Sequence, residues 1–275
     1  MCLALGYNGD EHYKESQSNV TNPNTLPTRI PEDDHWWFAG RTWTLLNMLD
    51  RIVPPPGTLR VLDIGAGAGN MVHHLARYGS VVGVDNNPKP IEVARQRGYD
   101  IRLGEAEDLP FDSDSFDLVA LLDTVEHCPD DMAVLHECYR VCSPTGHLVV
   151  TVPAFQWLWS HNDVLNAHYR RYAASDLRQK LAQVGFRIRR MTYNNFPLFP
   201  MAAALILLRR GTEAEPELAS PHFDDDAYQV EMEPAPPALN AVLKSIVWAE
   251  SQLLRWVNLP LGTSILCIAE KPAQG

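Results

Sequence analysis

The sequence has few cysteines and no two of them in a C-x-x-C arrangement. Its 5 cysteines are an odd number in 275 residues, which favours a reduced chain over a disulfide scaffold. The longest hydrophobic run, 196–208, is too short to span a bilayer as a helix. The start of the chain lacks the basic and apolar regions of a signal peptide, so a cytoplasmic protein is expected.

An excess of positive charge is also absent. The sequence has 23 Lys and Arg against 34 Asp and Glu, a formal net charge of −11, which argues against binding nucleic acid through bulk charge. Much of the negative charge lies in 211–238, which contains no Lys or Arg. Residues 161–210 are basic instead, as suits either a solvated surface or the mouth of a site for an anionic acceptor.

Strand-like and helix-like patterns alternate from residue 60 to 193 and return to a strand near the end. Because such alternation is typical of βαβ units, we predict an α/β fold with a doubly wound, mainly parallel sheet of seven strands. Strands are predicted at 60–65, 80–85, 100–104, 116–123, 146–153, 186–193 and 263–271, and helices at 34–52, 69–78, 88–97, 130–141, 175–185 and 239–257.

These elements divide the chain into four predicted regions. Residues 1–33 are expected to form a flexible arm, and 34–193 the ligand-binding core. A helical insertion at 194–262 precedes the last strand and would cover the site, with an acidic mobile loop at 211–238. Residues 263–275 would complete the core as its last strand and tail.

A glycine-rich turn follows the first predicted strand. The run Asp63-Ile64-Gly65-Ala66-Gly67-Ala68-Gly69 allows a sharp backbone turn and the close approach of a ligand. Asp85 ends the second strand, where an acidic side chain meets a ribose in nucleotide-binding βαβ units. A dinucleotide site would place its third glycine at Asn70. Because Asn stands at that position, a nicotinamide-dependent oxidoreductase is a less favoured alternative.

The order and spacing of these motifs resemble the class I S-adenosylmethionine-dependent methyltransferases, and the type-11 methyltransferases in particular. The resemblance covers 60–152 and includes EAEDLPF (105–111) and RVCSPTGHLVVTVP (140–153). Two departures are Glu105, where the family usually has Asp, and Thr145, where it has a glycine. The resemblance implies a Rossmann-like fold with helices on both faces of the sheet, and S-adenosyl-L-methionine as the cofactor, with S-adenosyl-L-homocysteine as its product.

The resemblance also implies which residues bind the cofactor. Asp85 would hold the ribose hydroxyls, Glu105 would meet the adenine amino group, and Asp63 would contact the cofactor or fix the loop. Trp37 would form a lid or belong to the core, and Arg41 would hold the methionine carboxylate or remain a solvated charge. The full expected set is Asp63, Gly65, Ala66, Gly67, Gly69, Asp85, Asn86, Glu105, Ala106, Glu107, Leu122, Asp123, Trp37 and Arg41.

Methyl transfer to oxygen, nitrogen or activated carbon often needs a general base. His161, Asp163 and His168 lie between strand five and the next helix, at the edge of the sheet where ligands bind. His127 is a further candidate, and His161 and His168 are favoured over it, with a structural role as the alternative for each. No metal site is expected, because Cys138 and its neighbours are better explained as buried thiols.

The sequence therefore predicts a methyltransferase that acts by in-line transfer on a small or medium acceptor, apolar or anionic: a natural product, lipid or saccharide intermediate. HWWF (35–38), the 161–172 stretch and 259–264 resemble a bacterial subgroup associated with such biosynthetic pathways. A non-catalytic nucleotide-binding partner subunit is a second alternative. Peripheral membrane contact through 196–210 and a homodimer contact through 239–257 are open, and no nucleic-acid partner is expected.

Overall fold

A computed structural model describes most of the chain. The predicted arm, up to residue 30, and most of the acidic loop 211–238 lie outside the described residues. The described ranges are 31–53, 57–209, 222–223, 230–231 and 235–273.

Seven strands form one sheet, as predicted. In chain order its strands are β1 (Leu59–Ile64), β2 (Gly79–Asp85), β3 (Ile101–Leu103), β4 (Phe116–Leu122), β5 (Cys142–Pro153), β6 (Arg187–Asn194) and β9 (Ser264–Glu270). Two short strands outside this sheet are β7 (His222–Phe223) and β8 (Val230–Glu231). The sheet order is β3-β2-β1-β4-β5-β9-β6, and β7 pairs with β8 separately. Within this sheet β9 runs antiparallel to both of its neighbours, β5 and β6, and the other pairings are parallel. The α/β, Rossmann-like fold class is confirmed.

Eight helices surround this sheet in the described part of the chain. They are α1 (Trp36–Leu49), α2 (Val72–Leu75), α3 (Pro88–Gln96), α4 (Asp131–Val141), α5 (His161–Leu165), α6 (Ala174–Val184), α7 (Phe199–Arg209) and α8 (Pro237–Leu253). The predicted helix 69–78 is wrong in length, because Gly69 has a left-handed backbone with φ 81° and turns occupy both sides of α2. The apolar run 196–208, for which no helix was predicted, forms most of α7.

The central strands are buried on both faces, which explains their continuous apolar sequence. In β1, Leu62 and Ile64 pack into one hydrophobic cluster with α4 and α6, whereas Val61 packs into another with α1, α2 and α3. The β4 residues Leu118 and Val119 divide between the two clusters in the same way. The alternation places helices on both faces and leaves the carboxyl edge of the sheet for a site.

Helix α8 of the inserted segment packs along α1. The Asn240 side chain accepts a hydrogen bond from the Trp36 amide at 2.9 Å, and Asn47 Nδ2 donates to Ser251 Oγ at 3.2 Å. Between these contacts, a Cβ atom at Gly40 would lie only 2.8 Å from Val247 Cβ. The close approach of the two helices therefore requires glycine at this position.

We expect Gly40→Ala to destabilise the protein by about 1–3 kcal/mol through overpacking, although alanine is the better helix former. Urea unfolding followed by circular dichroism measures the change. Val247→Ala is the matched partner, because it removes both Cγ atoms, two of the three Val247 atoms that a methyl group at Gly40 would meet. The loss should shrink in the double variant. A Gly40→Ala protein more stable than the parent would contradict this packing.

Candidate functional site

A cavity of about 190 Å³ lies where β1, β4 and β5 approach their carboxyl ends. Asp63, Leu122 and Thr151 line it from these three strands. The glycine-rich loop lines it with residues 65–68, and α1 contributes Arg41 among others. The structure thus brings six of the residues expected to bind the cofactor (Asp63, Gly65, Ala66, Gly67, Leu122 and Arg41) to one cavity.

The three glycines of the loop have different roles. Gly65 has φ 72°, and a Cβ atom there would lie 2.3 Å from Thr124 Oγ1. Gly69 has φ 81°, and its Cβ would lie 2.2 Å from the Tyr99 ring. Gly67, with φ 53°, lines the cavity and donates its amide to Asp85 Oδ2 at 2.8 Å. Packing against neighbouring side chains thus accounts for Gly65 and Gly69, and Gly67 connects the cavity to the end of β2.

Two polar side chains that line this cavity, Asp63 and Thr151, are poorly satisfied by the protein itself. Burial and the nearby Asp85 raise the pKa of Asp63 to about 7. Thr151 Oγ1 is buried and has no hydrogen-bond partner among the described residues. A buried carboxyl group and an unpartnered hydroxyl suit a ligand that carries an ammonium group and further hydrogen-bonding atoms. The cavity therefore fits the amino-acid end of S-adenosylmethionine.

Acidic side chains continue along the sheet edge beyond the loop. Asp85 accepts hydrogen bonds from the amides of Gly67 and Asn87, while burial raises its pKa overall. Asn86 Nδ2 donates to Glu105 Oε2 at 3.1 Å, which joins the ends of β2 and β3. Ala106 and Glu107 lie in the turn that follows Glu105, and Ala106 packs against the core. These residues form the edge at which the resemblance places ribose and adenine.

Arg41 is not a solvated surface charge. Its guanidinium group lies 4.3 Å from the centre of the Trp37 ring and forms an ion pair with Asp123. Burial lowers the pKa of Arg41 to about 10, partly offset by the negative Glu126. Asp123 follows β4 with a left-handed backbone, φ 48°. This arrangement fixes a cation at the wall of the cavity and places Trp37 against it, so Arg41 and Asp123 act as a pair.

Buried Asp163 and half-buried His168 form a hydrogen-bonded pair. His168 Nδ1 lies 2.9 Å from Asp163 Oδ1, which also accepts from Arg171 Nε at 2.7 Å. Burial opposes the charge of Asp163, but these hydrogen bonds outweigh it and lower its pKa to about 2. The His127 ring meets the His168 ring edge-on, with centroids 4.6 Å apart. Three of the four residues predicted for catalysis are therefore in one group.

Glu126 completes this group, and sequence reasoning missed it. One carboxylate oxygen of Glu126 and one ring nitrogen each of His127 and His168 lie within 4.8 Å of one another. Burial raises the pKa of Glu126 to about 8, and its Oε2 has no hydrogen-bond partner among the described residues. The pKa of His127 is lowered by partial desolvation and by the neighbouring His168, although the residue remains exposed to solvent. The available signal was the position of Glu126 beside His127 in the turn after β4.

His161 does not belong to this group. It is the first residue of α5 and is exposed, whereas Asp163 in the same helix is buried. The structure therefore separates the two histidines that the sequence favoured equally.

The predicted basic stretch is largely engaged by other parts of the protein. Arg190 donates to backbone carbonyls in the segment that follows α8, including that of Val257 at 2.9 Å. Four further cations are ion-paired: Arg170 and Lys180 with Asp131, Arg171 with Asp163, and Arg189 with Glu270. These contacts favour the structural interpretation of the stretch over a site for an anionic acceptor.

Residues 62–150 match the family model of the methyltransferase domain. The ubiquinone biosynthesis O-methyltransferase of Hahella chejuensis is 37% identical over 111 residues, which are 38% of this chain and 46% of that protein. The one from Alkalilimnicola ehrlichii is 35% identical over 158 residues, which are 47% of this chain and 64% of that protein. The chain thus spans about half the length of the curated relatives it matches.

Solved structures share the fold. A putative methyltransferase from Bacillus halodurans has a TM-score of 0.52 at 19% identity, covering 83% of this chain and 99% of its own. At this identity the likeness shows the fold alone. The family and the cofactor rest on the matched domain instead. Residues 62–150 belong to the class I S-adenosylmethionine-dependent methyltransferases. S-adenosylmethionine is the cofactor of that domain.

Proposed function

We propose that the chain transfers a methyl group from S-adenosylmethionine to a hydroxyl oxygen of a small or medium, partly apolar acceptor. One observation carries the proposal: a shared residue links the cavity at the glycine-rich loop to a base group, which consists of buried Glu126 and Asp163, half-buried His168 and exposed His127. Arg41 provides the connection, because it lines the cavity and interacts electrostatically with Glu126. A cofactor cavity beside a histidine–carboxylate pair is the arrangement that base-assisted methyl transfer needs.

The cavity lining and the family resemblance together assign the residues that would hold the cofactor. Asp63 and Thr151 in the lining suit its amino group and Arg41 its carboxylate. The resemblance assigns Asp85 to the ribose hydroxyls and Glu105 to the adenine edge. When bound, S-adenosylmethionine supplies an electrophilic methyl group on a sulfonium centre. The contribution of these side chains is to fix that end of the cofactor and exclude water, so that an acceptor meets it in line.

The protonation state of Asp163 decides how His168 acts. With a pKa of about 2, Asp163 is a carboxylate at neutral pH and only accepts hydrogen bonds. His168 Nδ1 must therefore carry the proton in this contact, which leaves the lone pair on Nε2. His168 can take the hydroxyl proton of an acceptor there, and Asp163 orients the ring and stabilises the resulting imidazolium.

The surroundings of Asp163 favour an acceptor with an apolar part. Phe155 stacks on Tyr193 with ring centroids 5.0 Å apart, and Trp157 stacks on Phe155 at 5.7 Å. Phe155 and Trp157 follow β5, and Tyr193 lies in β6. Arg171 donates to the carbonyl of Ala154, next to Phe155, and to Asp163, so it connects this aromatic cluster to the base group. Aromatic faces bind planar or apolar groups. Oxygen is proposed as the acceptor atom because the matched relatives are O-methyltransferases. The basic residues of 161–210 are largely engaged in ion pairs, so they give no reason to require a negative charge on the acceptor.

A direct assay tests the proposal against its alternatives. The full chain is incubated with S-adenosylmethionine and a panel of small hydroxylated aromatic, lipid and saccharide acceptors, and S-adenosylhomocysteine is measured by mass spectrometry. Acceptor-dependent product is the expected result. Cofactor binding without transfer to any acceptor would favour the non-catalytic partner subunit. NADH binding in place of S-adenosylmethionine would favour the oxidoreductase.

The raised pKa of Asp63 predicts how cofactor affinity depends on pH. Below about pH 7 the free carboxyl group is protonated, and it must lose its proton to neutralise the cofactor's ammonium group. Affinity should therefore fall as pH is lowered from 7 to 5, by up to about tenfold per pH unit. Calorimetric titration with S-adenosylhomocysteine at several pH values measures this. Asp63→Asn is the control: its affinity should be weaker and nearly flat over that range, and the same slope in both proteins would refute the role.

Several further predictions stay open. They are the division into a core (34–193) and a cover (194–262), the cytoplasmic location, the homodimer contact and the membrane contact through 196–210. The described part of the chain has no helix that is both long enough and apolar enough to cross a membrane. Leu208 in α7 is 78% exposed, so an apolar side chain does project from that helix.

A further inference from the structure

Asp33, His73 and His74 form a compact polar cluster outside the base group. Asp33 lies in a short 3-10 helix, Pro31–Asp34, just before α1, and the two histidines lie in α2, directly after the glycine-rich loop. His73 Nε2 is 3.1 Å from one carboxylate oxygen of Asp33, and His74 Nε2 is 2.8 Å from the other. The imidazole rings are 3.7 Å apart at their centroids. Two segments distant in sequence thus bring two imidazole nitrogens and a carboxylate group together.

The chemistry of the cluster matches a metal centre. One oxygen of Asp33 and one nitrogen of each histidine lie within 4.8 Å of one another. Ligands about 2.0–2.1 Å from a tetrahedral Zn²⁺ are separated by about 3.3 Å. The nitrogen–oxygen distances of 3.1 and 2.8 Å run to different oxygens of Asp33 and are somewhat shorter, so the donors would move apart only slightly around an ion. The His73 side chain is only 2% exposed and that of Asp33 15%. The donors are therefore shielded and already close to the spacing that a metal ion requires.

We propose that Asp33, His73 and His74 bind one divalent transition-metal ion of the Zn²⁺ class. Two imidazoles and one carboxylate leave a position open for water, and imidazole ligands select Zn²⁺ and its neighbours over Mg²⁺ or Ca²⁺. Without metal, each imidazole can donate its Nε2 proton to one oxygen of Asp33. The metal takes the place of these two hydrogen bonds, with both histidines in the Nδ1-protonated tautomer.

Such an ion would join the beginning of α1 to α2 across one wall of the cavity. Asp33 itself lines that cavity, as do loop residues just before α2. The backbone carbonyl of Asp33 accepts a hydrogen bond from Lys244 of α8 at 3.4 Å, so the metal would fix the inserted helix to the same corner. Metal binding does not rest on the proposed methyl transfer, and it is measurable without any cofactor.

The test is a titration of the chelator-treated full chain with Co²⁺, which gives visible absorption bands when four-coordinate, followed by displacement with Zn²⁺. One equivalent of Co²⁺ should bind with these bands. His74→Ala and Asp33→Asn should each weaken binding about tenfold or more. His136→Ala is the control: it removes an exposed histidine on α4 and should leave binding unchanged.

Circular dichroism and a thermal melt of each variant establish that it is folded, and Asp33→Asn keeps the shape of the side chain it replaces. Absence of the bands in the parent protein overturns the proposal. It is also overturned if His74→Ala and Asp33→Asn bind Co²⁺ like the parent. Loss of binding in His127→Ala alone would assign the ion to the Glu126 group and overturn the proposal equally.

Discussion

Asp85→Ala is expected to weaken the binding of S-adenosylhomocysteine about 100-fold, measured by isothermal titration calorimetry. Hydrogen bonds to a charged group contribute about 1.5–3 kcal/mol each, and the Asp85 carboxylate lies at the end of β2, where the ribose hydroxyls are expected. Asp100→Ala is the control, since Asp100 precedes β3 at the opposite edge of the sheet and pairs with Arg102 at 3.1 Å. Its affinity should equal that of the parent protein.

Asp85 also accepts the Gly67 and Asn87 amides, so its loss can disturb the loop itself. A cofactor analogue without ribose hydroxyls separates the two effects. If Asp85 binds the hydroxyls, the parent protein should bind this analogue weakly, and Asp85→Ala should weaken it little further. Equal losses for the analogue and for S-adenosylhomocysteine would mean that Asp85 acts only through the loop.

His168→Ala is expected to lower kcat about 100-fold or more while leaving the affinity for S-adenosylhomocysteine unchanged. The expected loss is that of a general base, and the readout is the rate of acceptor-dependent S-adenosylhomocysteine formation. His161→Ala is the matched comparison, because its exposed side chain lies outside the base group and should retain most of the activity. Equal losses in the two variants would contradict the assignment.

His168→Gln distinguishes catalysis from structure. Glutamine can still donate a hydrogen bond to Asp163, but it cannot take a proton at neutral pH. The variant should therefore be as slow as His168→Ala while folding normally. If glutamine restores the activity, His168 serves only to hold Asp163 in place and the proton must leave by another route.

The sequence was most informative where local pattern determines structure. The run from Asp63 to Gly69 and the acid at Asp85 were sufficient to place the loop and the sheet edge, because both depend on the ends of parallel strands. The buried strands read as apolar runs since they have helices on both faces. The family match over 62–150 falls on this same part of the chain.

Features that depend on tertiary contacts could not be predicted from the sequence. Helix α7 is apolar on all sides, so it shows no amphipathic period that a sequence pattern reveals. The sequence left Arg41 as either a ligand of the methionine carboxylate or a solvated helix charge, and it gave no sign of the ion pair with Asp123. The cluster of Asp33 with His73 and His74 joins residues 40 positions apart, and no spacing rule connects them. Such groupings arise from packing rather than from local propensity.

The most direct measurement is a crystal structure of the full chain with S-adenosylhomocysteine. The account predicts that the amino-acid end of the ligand contacts Asp63 and Arg41, that both ribose hydroxyls bind Asp85, and that the sulfur faces the side on which His168 lies. A ligand bound away from the glycine-rich loop, or with its ribose turned away from Asp85, would contradict it.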